Sequence, residues 1–410
     1  MIVLGGPHLS PIAEHILRNN RHINIIVRGE GEATFLELVK ALSGPDGDIQ
    51  RIEGITYRYK SRIVRNPDRE MIQELDSIPS FYRFDSKELE GKYVCLETQR
   101  GCEYRCHYCY YHKNFNKVRV FSIDRVKKDL AFLLKKKLRA IYLMDPVFNL
   151  DPERAKEICR FIVKHNRNNI PFHAEIRAEL VDEELADLLH RANFKYLEIG
   201  LQSATSRVLQ LVGRKSDIVK FVRGVHLCTE RKLGAQVQLI LGLPGETVCS
   251  FMESLEFVMG LEPEMISVFV LQVLPGTKLW EDAARLGIVH EKDPPYRFLR
   301  SEGISALELK RLQKIVVSLE IFWKMEAFRF LCREKGIKLL DLIRVWVDRQ
   351  REDGFLLEHP GAEEYQNRLR QFMRSFCLEH GIEPHFYEVL LSRGINRRWG
   401  RRKHPGQFML

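Results

Sequence analysis

The sequence has no apolar run approaching the roughly 20 residues that span a bilayer, so a membrane-crossing helix is not expected. It opens MIVLGGPHLS, without a basic leader, an apolar stretch or a small-residue cleavage site, and no export signal is read there. A disulfide framework is also missing. The nine cysteines are odd in number and six are scattered, which suits a reducing compartment and points to the cytoplasm. No solenoid-period repeat and no low-complexity segment is present, which excludes repeat arrays and compositionally disordered tracts. What remains is a globular composition, 45% hydrophobic and 29% charged, in 410 residues, enough for two or three cores. The formal charge is +10, but part of the excess sits in a tail with Arg397, Arg398, Arg401, Arg402 and Lys403. Such a tail is ordinarily solvated, so nucleic acid is not expected as a partner.

Three stretches separate on pattern. Residues 1–75 begin with strand Ile2 to Leu4, Gly5-Gly6-Pro7, a helix near Pro11 to Arg18, strand Ile23 to Val27, a turn at Arg28 to Glu32 and helix Ala33 to Leu42. This β-turn-α repeat belongs to doubly wound sheets, yet two strands are too few to complete one. Residues 90–285 alternate six short strands with amphipathic helices, which predicts an α/β fold, a partial (β/α)6 barrel. The strands are read at Val94 to Thr98, Ala140 to Met144, Phe172 to Ile176, Tyr196 to Gly200, Val237 to Leu241 and Ser267 to Val273. Residues 300–410 are helical, with Leu309, Leu312, Val316, Leu319 and Trp323 forming one buried face.

Chemistry enters directly after the first barrel strand, where Cys102, Cys106 and Cys109 follow Thr98-Gln99-Arg100-Gly101. Reactive groups of β/α barrels sit at the C-terminal ends of strands, and this loop is at one. Thiolates hold iron-sulfur clusters, and three of them leave one iron of a cubane open to a small molecule. A structural zinc would need a fourth ligand; His107 directly follows Cys106, a poor spacing for converging on the same ion. The run Tyr110-Tyr111-His112-Lys113 reads either as a wall over the cluster or as a solvated loop.

With Tyr108 before the last cysteine, residues 92–280 resemble the radical S-adenosylmethionine (SAM) superfamily. The resemblance implies a [4Fe-4S] cluster on Cys102, Cys106 and Cys109, SAM on its open iron, and reductive cleavage to a 5'-deoxyadenosyl radical. It also implies an electron donor such as flavodoxin or ferredoxin. By the same resemblance Glu175 meets the SAM amino group, Gln202 the ribose and Arg214 the carboxylate, whose geometry matches a guanidinium fork. Leu241-Gly242-Leu243-Pro244-Gly245 resembles the fifth-strand motif along adenine, which implicates Gly242 and Pro244. Asp145, in Met144-Asp145-Pro146-Val147-Phe148, stands where the superfamily usually has Gly-Gly-Glu, and Gln238 where one branch has an aspartate.

That Asp-bearing second strand, and Val273-Leu274-Pro275-Gly276-Thr277, resemble the branch that carries a cobalamin domain. Val3-Leu4-Gly5-Gly6-Pro7-His8 and Val27-Arg28-Gly29-Glu30-Gly31-Glu32 resemble late turns of such a domain, here incomplete. No Asp-x-His-x-x-Gly motif supplies the axial histidine; His8 and His22 do not fit it. Cobalamin is therefore expected to bind weakly to this chain alone. The leading reading is methyl transfer of the cobalamin-dependent type, onto an unreactive carbon. Radical oxidation or rearrangement without cobalamin is the second, and a non-catalytic iron-sulfur or RNA-binding protein the third. Methylthiotransferase chemistry is disfavoured because the further N-terminal cysteine set is absent.

Overall fold

The computed structural model describes residues 1–44, 47–83, 88–111, 117–325, 329, 332–352 and 363–381. His112, Lys113 and the basic tail lie outside them. The chain divides into two units, Met1–Glu264 with Phe269–Gly303, and Met265–Val268 with Ile304–Leu410. Among the described residues no helix is long and apolar enough to cross a membrane.

The first unit starts with a small α/β lobe. Its strands β1 (Val3–Gly5), β2 (Ile25–Val27), β3 (Ile55–Tyr59) and β4 (Arg62–Arg65) form one sheet in that order. β1 and β2 run parallel, whereas β3 pairs antiparallel with both β2 and β4. Helix α1 (Ala13–Asn19) covers one face through Ala13 and Leu17 against Ile26. Helix α2 (Gly31–Ser43) supplies Leu38 to the other, among Ile25, Val27, Ile55 and Tyr57. The β3–β4 hairpin is the part the sequence reading lacked. Its tight turn has Lys60 at φ +52°, without the glycine or asparagine that marks such turns. The two missing strands are therefore antiparallel ones placed downstream.

The main sheet comprises β5 (Tyr93–Leu96), β8 (Ala140–Leu143), β9 (Phe172–Ile176), β10 (Phe194–Gln202), β11 (Ala235–Leu241) and β12 (Met265–Val270). The order is β12-β11-β10-β9-β8-β5, with parallel pairing from β5 through β11. A two-stranded antiparallel ribbon, β6 (Gln99–Arg100) and β7 (Arg119–Val120), rises from the end of β5. Alternation sorts the strand residues. On β9, Phe172, Ala174 and Ile176 are buried, while His173 and Glu175 occupy the less covered opposite face. The crossover helices are α3 (Ile123–Leu133), α4 (Pro152–His165), α5 (Glu183–Arg191), α6 (Ser206–Leu211), α7 (Ile218–Glu230) and α8 (Val248–Gly260). Ser122, Asp151, Asp182, Asp217 and Thr247 cap α3, α4, α5, α7 and α8 by accepting a backbone N–H, each worth about 1 kcal/mol. After β12 come α9 (Lys278–Asp282) and a hairpin of β13 (Val289–His290) and β14 (Phe298–Arg300).

The second unit is built on α10 (Ala306–Trp323), α11 (Leu339–Glu352) and α12 (Glu363–Glu379). A capping box of Ser305 and Glu308 starts α10. Leu309, Leu312, Val316, Leu319 and Trp323 are all buried, and Trp346 packs edge-on to Phe322 and Phe372. This unit is a packing core.

Candidate active site

The cysteine loop begins where only glycine fits. Gly101 has φ +98°, and a Cβ there would fall on the backbone of Lys117 and Val118 as the loop returns. Cys106 is buried and Cys102 and Cys109 are half-buried. The Cys109 N–H donates to the Cys106 carbonyl at 3.0 Å. His107 faces elsewhere: its N–H donates to the Val212 carbonyl at 2.8 Å, and its ring Nδ1 lies 3.1 Å from the Leu211 oxygen. It is thus tied to the end of α6. Tyr104 lies under the Arg177 guanidinium at 4.1 Å, and Arg177 is in turn held by Glu179 and the Lys215 carbonyl.

Burial raises the Cys102 thiol and pushes Cys109 up to about 11. Metal loading there would release protons. Among the described residues no three His, Cys, Asp or Glu side chains converge on one ion position. Three thiols on a single loop suit a cubane, whose cysteines ligate separate irons. The donor set therefore fits a [4Fe-4S] cluster better than a lone zinc.

The strand ends bring several of the other expected residues to this loop. On β10, Gln202 adopts φ +75°, and its amide lies against Gly200, where any Cβ would collide with it. The Arg214 Nη2 donates to the Gly200 carbonyl, and its Nη1 comes within 3.9 Å of Cys106 Sγ. The Tyr108 phenol, among Arg214 and the cysteines, is held above its ordinary range, chiefly by burial. Glu175 faces Glu198 in the β9–β10 register and is pushed up to about 8, by burial first and then by Glu198.

Asp145, Gly242 and Pro244 are all buried. Asp145 is 1% exposed and both its oxygens are engaged: Oδ1 by the Thr98 and Gln99 N–H groups at 2.7 and 3.1 Å, Oδ2 by the Thr98 hydroxyl at 2.5 Å. It braces the segment leading to Cys102. At Gly242 the place of a side chain is filled by the Phe298 ring, and its N–H donates to Glu246 Oε2 at 2.7 Å. Pro244 is buried. Phe298 and Glu246 thus cover this backbone on the sides they occupy.

Sequence reading missed the polar wall below. The Tyr142 hydroxyl reaches Glu198 Oε1 at 3.2 Å and Glu175 Oε1 at 3.4 Å; Gln238 donates to Glu198 Oε2 at 2.8 Å; and Tyr196 donates to Gln236. The His173 ring lies tilted near that of Tyr196, and burial lowers its pKa. The signal was available in the polar alternation Tyr196, Glu198 and Gln236, Gln238, which puts these groups on the face opposite the helices.

In the lobe, Gly6 and Gly29 have positive φ and nothing within 4 Å of the Cβ position, leaving open backbone at the ends of β1 and β2. No histidine described there supplies an axial nitrogen: His8 Nε2 is 3.1 Å from the Tyr296 hydroxyl, His15 pairs with Asn19, and His22 is exposed in the turn before β2. The residues present suit a nucleotide tail but not the axial ligation of cobalamin.

Residues 96–258 match the radical SAM superfamily. The chain is 29% identical over 289 residues to an uncharacterized methyltransferase of Pyrococcus horikoshii, covering 69% of this chain and 62% of that protein. It is 22% identical over 300 residues to the cobalamin-dependent radical SAM methyltransferase TokK of Streptomyces tokunonensis, covering 68% and 44%. The fold matches the cobalamin-dependent SAM radical enzyme OxsB with aqua-cobalamin bound, with a TM-score of 0.63 at 15% identity, over 96% of this chain and 71% of that one. The chain thus spans about half of the length of the two curated relatives.

Proposed function

The chain carries a radical SAM domain over residues 96–258, and from that premise we propose that it is a radical SAM enzyme that transfers a methyl group to an unreactive carbon. The observation that carries the reading is Arg214, whose one guanidinium touches both the Gly200 carbonyl and Cys106 Sγ. It couples a carboxylate-binding fork to the loop that holds the cluster. A bound [4Fe-4S] cluster supplies a low-potential electron and an open iron for SAM.

The protein's part is to bind, orient and exclude water. Arg214 takes the SAM carboxylate and Gln202 the ribose. Glu175, whose carboxyl is pushed up to about 8 by burial and then by Glu198, meets the SAM amino group, and a positive charge beside it favours its ionised form. Tyr142, Glu198, Gln236 and Gln238 line the concave face and favour a polar portion of the substrate over a wholly apolar one. Cobalamin, were it held at the open backbone of Gly6 and Gly29, would carry the methyl group from SAM to the substrate carbon. An electron donor of the flavodoxin or ferredoxin type and a cytoplasmic setting complete the reading.

The test uses anaerobically reconstituted protein, a strong reductant, SAM with a deuterated methyl group and a fractionated small-molecule extract. A product heavier by the labelled methyl is expected, and none with Cys102, Cys106 and Cys109 all replaced by alanine. An oxidised or rearranged product without label, formed with 5'-deoxyadenosine, would replace methyl transfer by radical oxidation. Absence of SAM cleavage by protein holding about four irons would reject the enzyme reading.

A further inference from the structure

We propose that Glu30, in the lobe, is a positioning residue for the cysteine loop of the barrel, so that the lobe holds in register the segment expected to bind the cluster. The proposal rests on the cluster reading above, but the contact itself does not. The loop leaves and re-enters the fold through the β6–β7 ribbon, where Arg100 stands directly opposite Arg119. Like charges paired across strands repel, and these two side chains are only 10% and 6% exposed. Glu30, 5% exposed, lies between them. Its Oε1 accepts from Arg100 Nη1 and Arg119 Nη2 at 2.9 Å each, and its Oε2 from Arg119 Nη1 at 2.9 Å and the Ile72 N–H at 2.7 Å.

The surrounding contacts fix the clamp. Arg100 also meets Glu32 at 2.6 Å and grips Glu97 through Nε, and Arg119 donates to the Ile72 carbonyl. Glu30 itself sits at the start of α2 between Gly29 and Gly31. One residue beyond Arg100, Gly101 is packed so closely on Lys117 and Val118 that any splaying of the ribbon opens the loop carrying Cys102. Removing one partner from a buried charge set weakens what the others gain, and here both facing guanidiniums at the base of the loop would lose a shared carboxylate, Arg100 keeping Glu32 and Glu97.

The experiment compares the cofactor-free full chain with Glu30→Gln and Glu30→Asp by hydrogen exchange and by iodoacetamide labelling of the three cysteines. Glu30→Gln should speed exchange across residues 98–120, and labelling of the cysteines, by about tenfold or more, with α4 unchanged. Glu30→Asp should restore part of the protection. After reconstitution, the glutamine variant should hold less iron and show an altered electron paramagnetic resonance spectrum. Should Glu30→Gln not fold, Arg119→Lys keeps the charge but loses the two-pronged contact, and the same loosening is expected. Unchanged loop exchange and labelling in the folded variant overturn the proposal, even where the wild type binds a full cluster. A loosened loop in a protein whose wild type never binds a cluster would instead reject the cluster and leave the role of Glu30 standing.

Discussion

Arg214 is the residue where local structure and ligand binding compete for one side chain. Its fork is turned toward the Gly200 carbonyl and Cys106, so a carboxylate arriving at the open iron would meet a guanidinium already oriented. Arg214→Ala is expected to weaken SAM binding by roughly 1.5 to 3 kcal/mol with the cluster retained. Calorimetric titration of the reconstituted variant checks this, and unchanged affinity with full iron content would count against the assignment. Glu246 offers a different test, because it is buried. Burial pushes its carboxyl up to about 8, against hydrogen bonds from the Gly242 and Leu243 backbone that lower it. A carboxyl whose folded pKa exceeds its unfolded value contributes stability in full below the unfolded value, near 4.3, and loses it as pH rises through 8. Glu246→Gln removes that titration. Its unfolding free energy should lie within about 1 kcal/mol of the wild type at pH 5. Between pH 6 and pH 9 it should gain on the wild type. Denaturant melts at those pH values decide it, and a difference that stays constant with pH would mean that the acid does not titrate in this range.

At the scale of elements, the sequence was legible wherever one periodicity dominated. Strand Phe172–Ile176 and helix Val248–Gly260 have the ends that were read from pattern, because the strand alternates, the helix buries Phe251, Leu255 and Val258 at steps of three and four, and the helix starts at the Thr247 cap. The stripe on α10 was equally plain, since its apolar positions all enter one core. The β3–β4 hairpin was not read, because Lys60-Ser61 lacks the usual turn chemistry and Arg58, Arg62 and Arg65 interrupt the apolar pattern. The site divided similarly. The spacing of the three cysteines names its chemistry without coordinates, whereas the neighbours of Asp145 and Gly242 are set by tertiary packing. Asp145 turns back to Thr98, 47 residues earlier, and Gly242 lies under Phe298, from a hairpin far downstream. Spacing along the chain carries no information about such partners. The same holds for Glu30 and Arg119, 89 residues apart.

At the scale of the molecule, the lobe and the barrel belong to one compact unit, joined by charged and aromatic contacts. The lobe's glycine turns keep open backbone at the ends of β1 and β2, where a nucleotide tail could approach closely. Affinity for cobalamin depends on more than that approach. An axial imidazole adds a metal bond, and its ring must be free and oriented by a second hydrogen bond. His8 instead turns its Nε2 to the Tyr296 hydroxyl, edge-on to that ring, and His15 is paired with Asn19 on the surface of α1. Freeing His8 would cost its contact with Tyr296 before any bond to cobalt formed. The chain by itself is therefore expected to bind cobalamin weakly and without histidine ligation. Absorbance titration of the chain with hydroxocobalamin, followed by electron paramagnetic resonance of the reduced cobalt, measures both properties. Tight binding in the base-off form, with the nitrogen splitting of a protein histidine, would overturn the expectation. If that signal disappeared in His8→Ala and persisted in His22→Ala, it would identify the ligand as a histidine that has left Tyr296.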